Sequence, residues 1–221
     1  MAKKESIQKT IVQQGLLPLY FNADLEVSIG ILKALYKAGS RVVEYTNRGE
    51  TAFSNFKKLI ELKKKEMPDL MLGIGTIKNL EQAKSYLEIG ADFLVSPGLV
   101  VDVAKYTVSN DILYAPGCMT PTEIIAAENI GLKFIKLFPG NVLGIEFMSS
   151  IKSIFPNLYF MPTGGVDTIK ENIEKWFESG VCAVGMGSKL VSDKRIKERN
   201  FAEIENQTRQ VLEIIARIKT K

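Results

Sequence analysis

At 221 residues, 46% apolar and 24% charged, with a formal net charge of +4, the chain has the make-up of one ordinary globular domain. The mild positive balance is interleaved with acids, so neither a nucleic-acid nor a membrane partner is expected, although an anionic small substrate is compatible. There is no histidine, which excludes a Ser-His-Asp triad, a Cys-His pair and every zinc site built on imidazoles.

Taken in order, the start (MAKKESIQKTIVQQ) lacks an apolar signal core, and SIQKTIVQQG predicts a helix ahead of the first strand. Strands are predicted at GLLPLYF from Gly15, RVVEYT from Arg41, LMLGIGT from Leu70 and FLVSP from Phe93. LYAPGC from Leu113, KFIKLFP from Lys133, LYFMPTG from Leu158 and CAVGMGS from Cys182 follow. Between them run helical patterns such as DLEVSIGILKALYKAG, TAFSNFKKLIELKKK, NLEQAKSYLEIG, TPTEIIAAENIG and IKENIEKWFESG. Asp24, Thr51, Asn79 and Thr120 are placed to open helices, and Gly39, Gly90, Gly131 and Gly180 to stop them. FAEIENQTRQVLEIIARIKT predicts a closing helix.

Mostly apolar strands alternating with helices imply a parallel sheet covered by helices. The expected architecture is α/β: a single (β/α)8 TIM barrel over residues 1–221, with one flanking helix at each end. A doubly wound open sheet is the alternative, but no GxGxxG follows the first strand. Cys118 and Cys182 are far apart without a CxxC spacing, so a reducing cytoplasm is the expected setting and both read as small apolar fillers. KKLIELKKKE reads as a solvated helix face, and Trp176 as part of an apolar helix stripe.

In such a barrel the chemistry lies at the C-terminal ends of the strands. In KFIKLFP, alternation puts Lys136 on one face with Phe134 and Phe138, inside an otherwise apolar strand. In RVVEYT, Glu44 shares a face with Val42 and Thr46. Burying either charge is costly unless something compensates. One reading is a buried ion pair that only plugs the barrel. The other gives Lys136 a lowered pKa and a neutral amine able to attack a substrate ketone, with Glu44 shuttling protons and Arg48 binding a carboxylate. PTGGV and GMGS close the last two strands, where glycines let backbone N–H groups approach a phosphate.

The run VEYTNRGE, GIGT, SPG, PGCMTPTE, IKLFPG, PTGGV and GMGS resembles, in order and spacing, the aldolases that cleave 2-keto-3-deoxy-6-phosphogluconate (KDPG) or 4-hydroxy-2-oxoglutarate (KHG). The resemblance spans roughly residues 10–190. It implies a class I lyase with no metal or other cofactor, on a (β/α)8 barrel, usually a homotrimer. Lys136 would form the Schiff base and Glu44 would be the acid/base. Arg48 and Thr76 would hold the pyruvyl carboxylate, Pro97 and Phe138 would line the pocket, and Gly164, Gly165 and Ser188 would bind the distal phosphate. The chain departs from the family at Gly140, where many members carry Ala, and at Lys189, where well-known members carry Trp or Ala; Lys189 adjoins the phosphate site.

The expected function is therefore retro-aldol cleavage of KDPG to pyruvate and glyceraldehyde 3-phosphate. Alternatives are the same chemistry on KHG or the 6-phosphogalactonate analogue, a phosphosugar isomerase or epimerase using Glu44 alone, and a barrel that only binds a phosphorylated metabolite.

Overall fold

The chain alternates strand and helix as its apolar runs require, and the computed structural model describes residues 4–220. Residues 1–3 and 221, part of the single unit expected over 1–221, lie outside the described range. The elements are α1 (Lys4–Gln14), β1 (Leu16–Tyr20), α2 (Leu25–Lys37), β2 (Val42–Thr46), α3 (Ala52–Glu66), β3 (Met71–Gly75) and α4 (Leu80–Glu88). Then come β4 (Leu94–Val95), α5 (Val101–Ser109), β5 (Tyr114–Ala115), β6 (Gly117–Cys118), α6 (Pro121–Ile130), β7 (Phe134–Leu137) and α7 (Gly140–Lys152). The chain finishes with β8 (Tyr159–Pro162), α8 (Lys170–Glu178), β9 (Val184–Met186), α9 (Asp193–Lys197) and α10 (Phe201–Lys219).

The strand pairs are parallel. A curled six-stranded sheet has the order β5-β4-β3-β2-β1-β9, and a three-stranded sheet follows as β6-β7-β8. The α/β expectation holds, but the strand ladder runs in two pieces where one continuous eight-stranded ladder was expected. Pro116 causes one break: it separates β5 from β6 because it has no N–H to give a neighbour. Its carbonyl still accepts from Lys136 N at 2.9 Å. At the other junction, β8 meets β9 through a single parallel bridge, Thr163 to Gly185, and through Cys182 N donating to Phe160 O at 2.9 Å.

Alternation splits each strand between two cores. Val43, Tyr45, Ile135, Leu137 and Phe160 pack among helix side chains such as Ile31, Leu32 and Phe56. Leu17, Val42, Phe93, Phe134 and Met161 pack together on the inner side, joined by Ile7 and Ile11 of α1. Gln14, at the end of α1, donates to the carbonyls of Leu16 and Val42 at two strand starts. The N-terminal ends of the strands are thus covered, and the inner apolar layer forms a floor beneath the residues that follow.

The helix signals act largely as their chemistry predicts. Asp24 accepts from Glu26 N and Val27 N, Asn79 from Gln82 N, and Thr120 forms a capping box with Glu123. Thr51 is the exception: its side chain caps nothing, because its hydroxyl donates to Ala23 O at 3.3 Å and ties α3 to the loop before α2. Gly39, Gly90, Gly131 and Gly180 stop their helices with φ of 110°, 108°, 98° and 96°. Lys63 departs from the solvated face expected of residues 57–66, since it pairs with buried Asp92, which also accepts from Leu72 N at 2.8 Å. Cys118 and Cys182 are free, and burial pushes both thiols up to about 12. Trp176 is buried. Among the described residues no helix is long and apolar enough to cross a membrane.

Candidate active site

Two charged side chains stand directly above the inner floor. Lys136 follows Phe134 by two positions on β7, pairs in register with Gly117 and Met161, and is 4% exposed. Glu44 follows Val42 by two positions on β2 and is 1% exposed. Burial is the largest influence on both, raising the Glu44 carboxyl and lowering the Lys136 ammonium from their ordinary values. Each opposes the other's shift, and Arg48 favours the Glu44 carboxylate while lowering Lys136 further. Yet the two groups do not touch. No hydrogen bond or ion pair joins them, and Glu44 Oε2 is buried without a hydrogen-bond partner. Lys136 Nζ lies 4.7 Å from the centroid of the Phe138 ring. A structural plug would need a close, fully hydrogen-bonded pair, and the strands do not hold one.

Room for the carboxylate comes from β3, whose inward positions Gly73 and Gly75 lie in register with Glu44 and Thr46. A Cβ on Gly73 would meet the Phe93 ring at 2.4 Å, and one on Gly75 would fall 1.7 Å from Glu44 Oε1. The carboxylate therefore reaches over Gly75, one inward position beyond its own register partner. Thr76 follows at φ 63°, a left-handed conformation that a β-branched residue rarely adopts. Asn47 N donates to Gly75 O at 2.9 Å and ties the ends of β2 and β3 together there. Pro97 approaches from the other side: a Cβ on Gly117, the register partner of Lys136, would lie 2.1 Å from Pro97 O.

Arg48, Phe138, Gly164, Gly165 and Ser188 line one cavity of 180 Å³, together with Leu19, Thr163 and Lys189. Glu44, Lys136, Thr76 and Pro97 do not line it; Phe138 and Arg48 connect it to the two buried charges. Gly164 and Gly165 have φ of 92° and 74°, and a Cβ on Gly165 would meet Asn141 Cβ at 2.4 Å, so the start of α7 packs hard against this loop. Lys189 turns to Asp167 at 2.9 Å, bridging the loops after β8 and β9. That hydrogen bond is the main cause of the Asp167 carboxyl lying below its ordinary value.

The sequence reading does not name Leu19 or Asp167 as site residues. Leu19 shares the inner face with Leu17, so period-two alternation contains its signal. The Asp167–Lys189 contact crosses two loops and has no local signature. A cavity of 870 Å³ lies at the opposite strand ends, lined by Lys4, Lys133, Lys152 and Tyr159 among others, so cavity size does not choose the site. Among the described residues, no group of three or more His, Cys, Asp or Glu is placed to hold a metal ion.

A lysine and a glutamate, both perturbed by burial, thus stand at strand ends near a glycine-lined cavity. The family model "KDPG and KHG aldolase" matches residues 7–207. The chain belongs to the KDPG and KHG aldolase family. It is accordingly a carbon–carbon lyase. The KHG/KDPG aldolase of Escherichia coli (strain K12) is 29% identical over 211 residues, 95% of this chain and 96% of the relative. A KDPG aldolase from Legionella pneumophila, whose structure holds pyruvate captured at low pH as a covalent carbinolamine, superposes with a TM-score of 0.85. It is 27% identical, covering 93% of this chain and 97% of that one. The aldolase of Zymomonas mobilis ZM4 with 3-phosphoglycerate has a TM-score of 0.82 at 27% identity, covering 94% and 95%.

Proposed function

We propose that this aldolase works through a Schiff base on Lys136 and that its substrate is KDPG. The observation that carries the reading is a lysine 4% exposed in an apolar strand, its charged form disfavoured by burial and by Arg48, beside a buried carboxylate with an unpartnered oxygen. The neutral amine attacks the C2 ketone, and loss of water from the carbinolamine leaves an iminium. Glu44 takes the proton of the C4 hydroxyl and the C3–C4 bond breaks. Its electron pair passes to the iminium, leaving an enamine and releasing glyceraldehyde 3-phosphate. Protonation at C3 and hydrolysis then free pyruvate and the lysine. A raised carboxyl and a lowered ammonium are both brought toward neutrality, where proton exchange is effective.

In this reading Arg48 and Thr76 hold the substrate carboxylate, Pro97 and Phe138 wall the pyruvyl group, and Gly164, Gly165 and Ser188 take the phosphate. The pyruvate and 3-phosphoglycerate held by the Legionella and Zymomonas proteins support a substrate with a pyruvyl end and a phosphate. We also infer one domain whose two sheets close as a (β/α)8 barrel, β5 and β6 counting as one strand interrupted at Pro116. The Thr163–Gly185 bridge supports that closure. Assembly as a homotrimer in the cytoplasm, without a cofactor, completes the reading.

The deciding experiment is incubation with pyruvate and borohydride, followed by peptide mass spectrometry. A reduced pyruvyl adduct on Lys136 is the expected result, absent in Lys136→Met. Unmodified Lys136 in folded protein would overturn the covalent route. Comparison of kcat/KM for KDPG and KHG then fixes the substrate.

A further inference from the structure

We propose that Thr46 is a positioning residue for the Glu44 proton transfer, its hydroxyl holding the oxygen, from water or from the substrate's C4 hydroxyl, that exchanges a proton with Glu44. The inference rests on the acid/base role given to Glu44 above.

Register and reach bring the two side chains together. Thr46 lies two positions beyond Glu44 on β2, so both face the inner side with Val42. Thr46 pairs with Gly75, and the Glu44 carboxylate has moved forward until Oε1 stands over that same glycine. Neighbouring strands are about 4.8 Å apart, so the hydroxyl and the carboxylate are neighbours across one strand spacing.

Among the described residues, four buried hydroxyls lack a hydrogen-bond partner, those of Ser40, Thr46, Ser96 and Thr163, and Thr46 is the one on the strand that carries Glu44. It is 1% exposed, and its Oγ1 is buried with no hydrogen-bond partner, as is Glu44 Oε2. Thr46 does not hydrogen-bond Glu44 itself. Leaving a buried hydroxyl unmatched costs stability, and a valine of nearly the same shape would remove that cost while suiting a strand equally well. The hydroxyl is therefore poorly explained by folding. Two adjacent unmatched oxygens, one a donor and the other an acceptor when ionised, are a built position for one intervening oxygen. Lys136 from β7 and Arg48 from the following loop supply the other charges acting on Glu44.

The test is Thr46→Val beside Thr46→Ser and Glu44→Gln, each shown folded by its thermal midpoint. Thr46→Val is expected to keep or raise the midpoint and to lower kcat by about 10- to 100-fold with little change in KM, the size expected of lost positioning. The acidic limb of its kcat–pH profile should move to higher pH, and Thr46→Ser should restore both rate and profile. In a Glu44→Gln background, Thr46→Val should add almost nothing. A Thr46→Val enzyme with wild-type kcat and pH profile overturns the proposal, as does a serine variant that fails to rescue. If Glu44→Gln itself keeps full turnover, the acid/base reading beneath the proposal falls. If Glu44→Gln is crippled while Thr46→Val is normal, only the Thr46 role falls.

Discussion

Burial moves the two central charges of this site in opposite directions, and the cost to the fold can be measured. The Glu44 carboxyl, raised mainly by desolvation, binds its proton more tightly in the folded chain than in the unfolded one, where 4.5 is the ordinary value. The stability linked to this group is therefore present below pH 4.5 and is lost as pH rises through the higher folded value. Glu44→Gln should remove that loss, making the variant more stable near neutrality, with a gap that closes toward low pH. The same change should lower kcat by about 10²- to 10⁴-fold. Urea unfolding at pH 4 and pH 8 beside steady-state kinetics checks both halves. An unchanged pH dependence would mean that the carboxyl is not desolvated. Both charged positions were legible in sequence because an acid or a lysine inside an apolar strand violates its pattern. The separation between them was not, since it depends on Gly75 admitting the carboxylate from another strand.

At the scale of the element, helix ends carry the site's loops. Thr120 and Glu123 satisfy each other's backbone partners at the start of α6, immediately after β6, with Glu123 Oε2 accepting from Met119 N at 2.7 Å and Thr120 N at 2.9 Å. Thr120→Ala should cost about 1 kcal/mol in chemical denaturation while leaving kcat nearly intact, because Thr120 lines no part of the cavity. Asp24, Asn79 and Thr120 could be read as caps because the residues that satisfy them are local. Thr51 could not: its hydroxyl is captured by Ala23 O, 28 positions away. Strand existence was likewise readable from apolar runs, but strand length was not. FLVSP yields only Leu94–Val95, and LYAPGC divides at Pro116. The short α9 lies in a polar stretch without apolar periodicity and gave no signal.

Across the whole molecule, one buried ion pair links layers that the site depends on. Asp92, just before β4, receives Lys63 from α3 and the Leu72 N–H from β3. Asp92→Ala leaves a half-buried ammonium and a strand N–H unmatched and should destabilise by about 2–4 kcal/mol, read from the urea midpoint. Sequence alone placed Lys63 on a solvated face, because 29 positions separate it from its partner. Gly73 and Gly75 have a consequence of another kind. Neither bears a functional group, yet any other amino acid at 75 places a carbon where the Glu44 carboxylate lies. In a saturation-mutagenesis map, the inner positions of β3 should therefore show the intolerance usually taken to mark chemistry. They would be identified by what they leave empty, and a survey restricted to reactive side chains would pass over them.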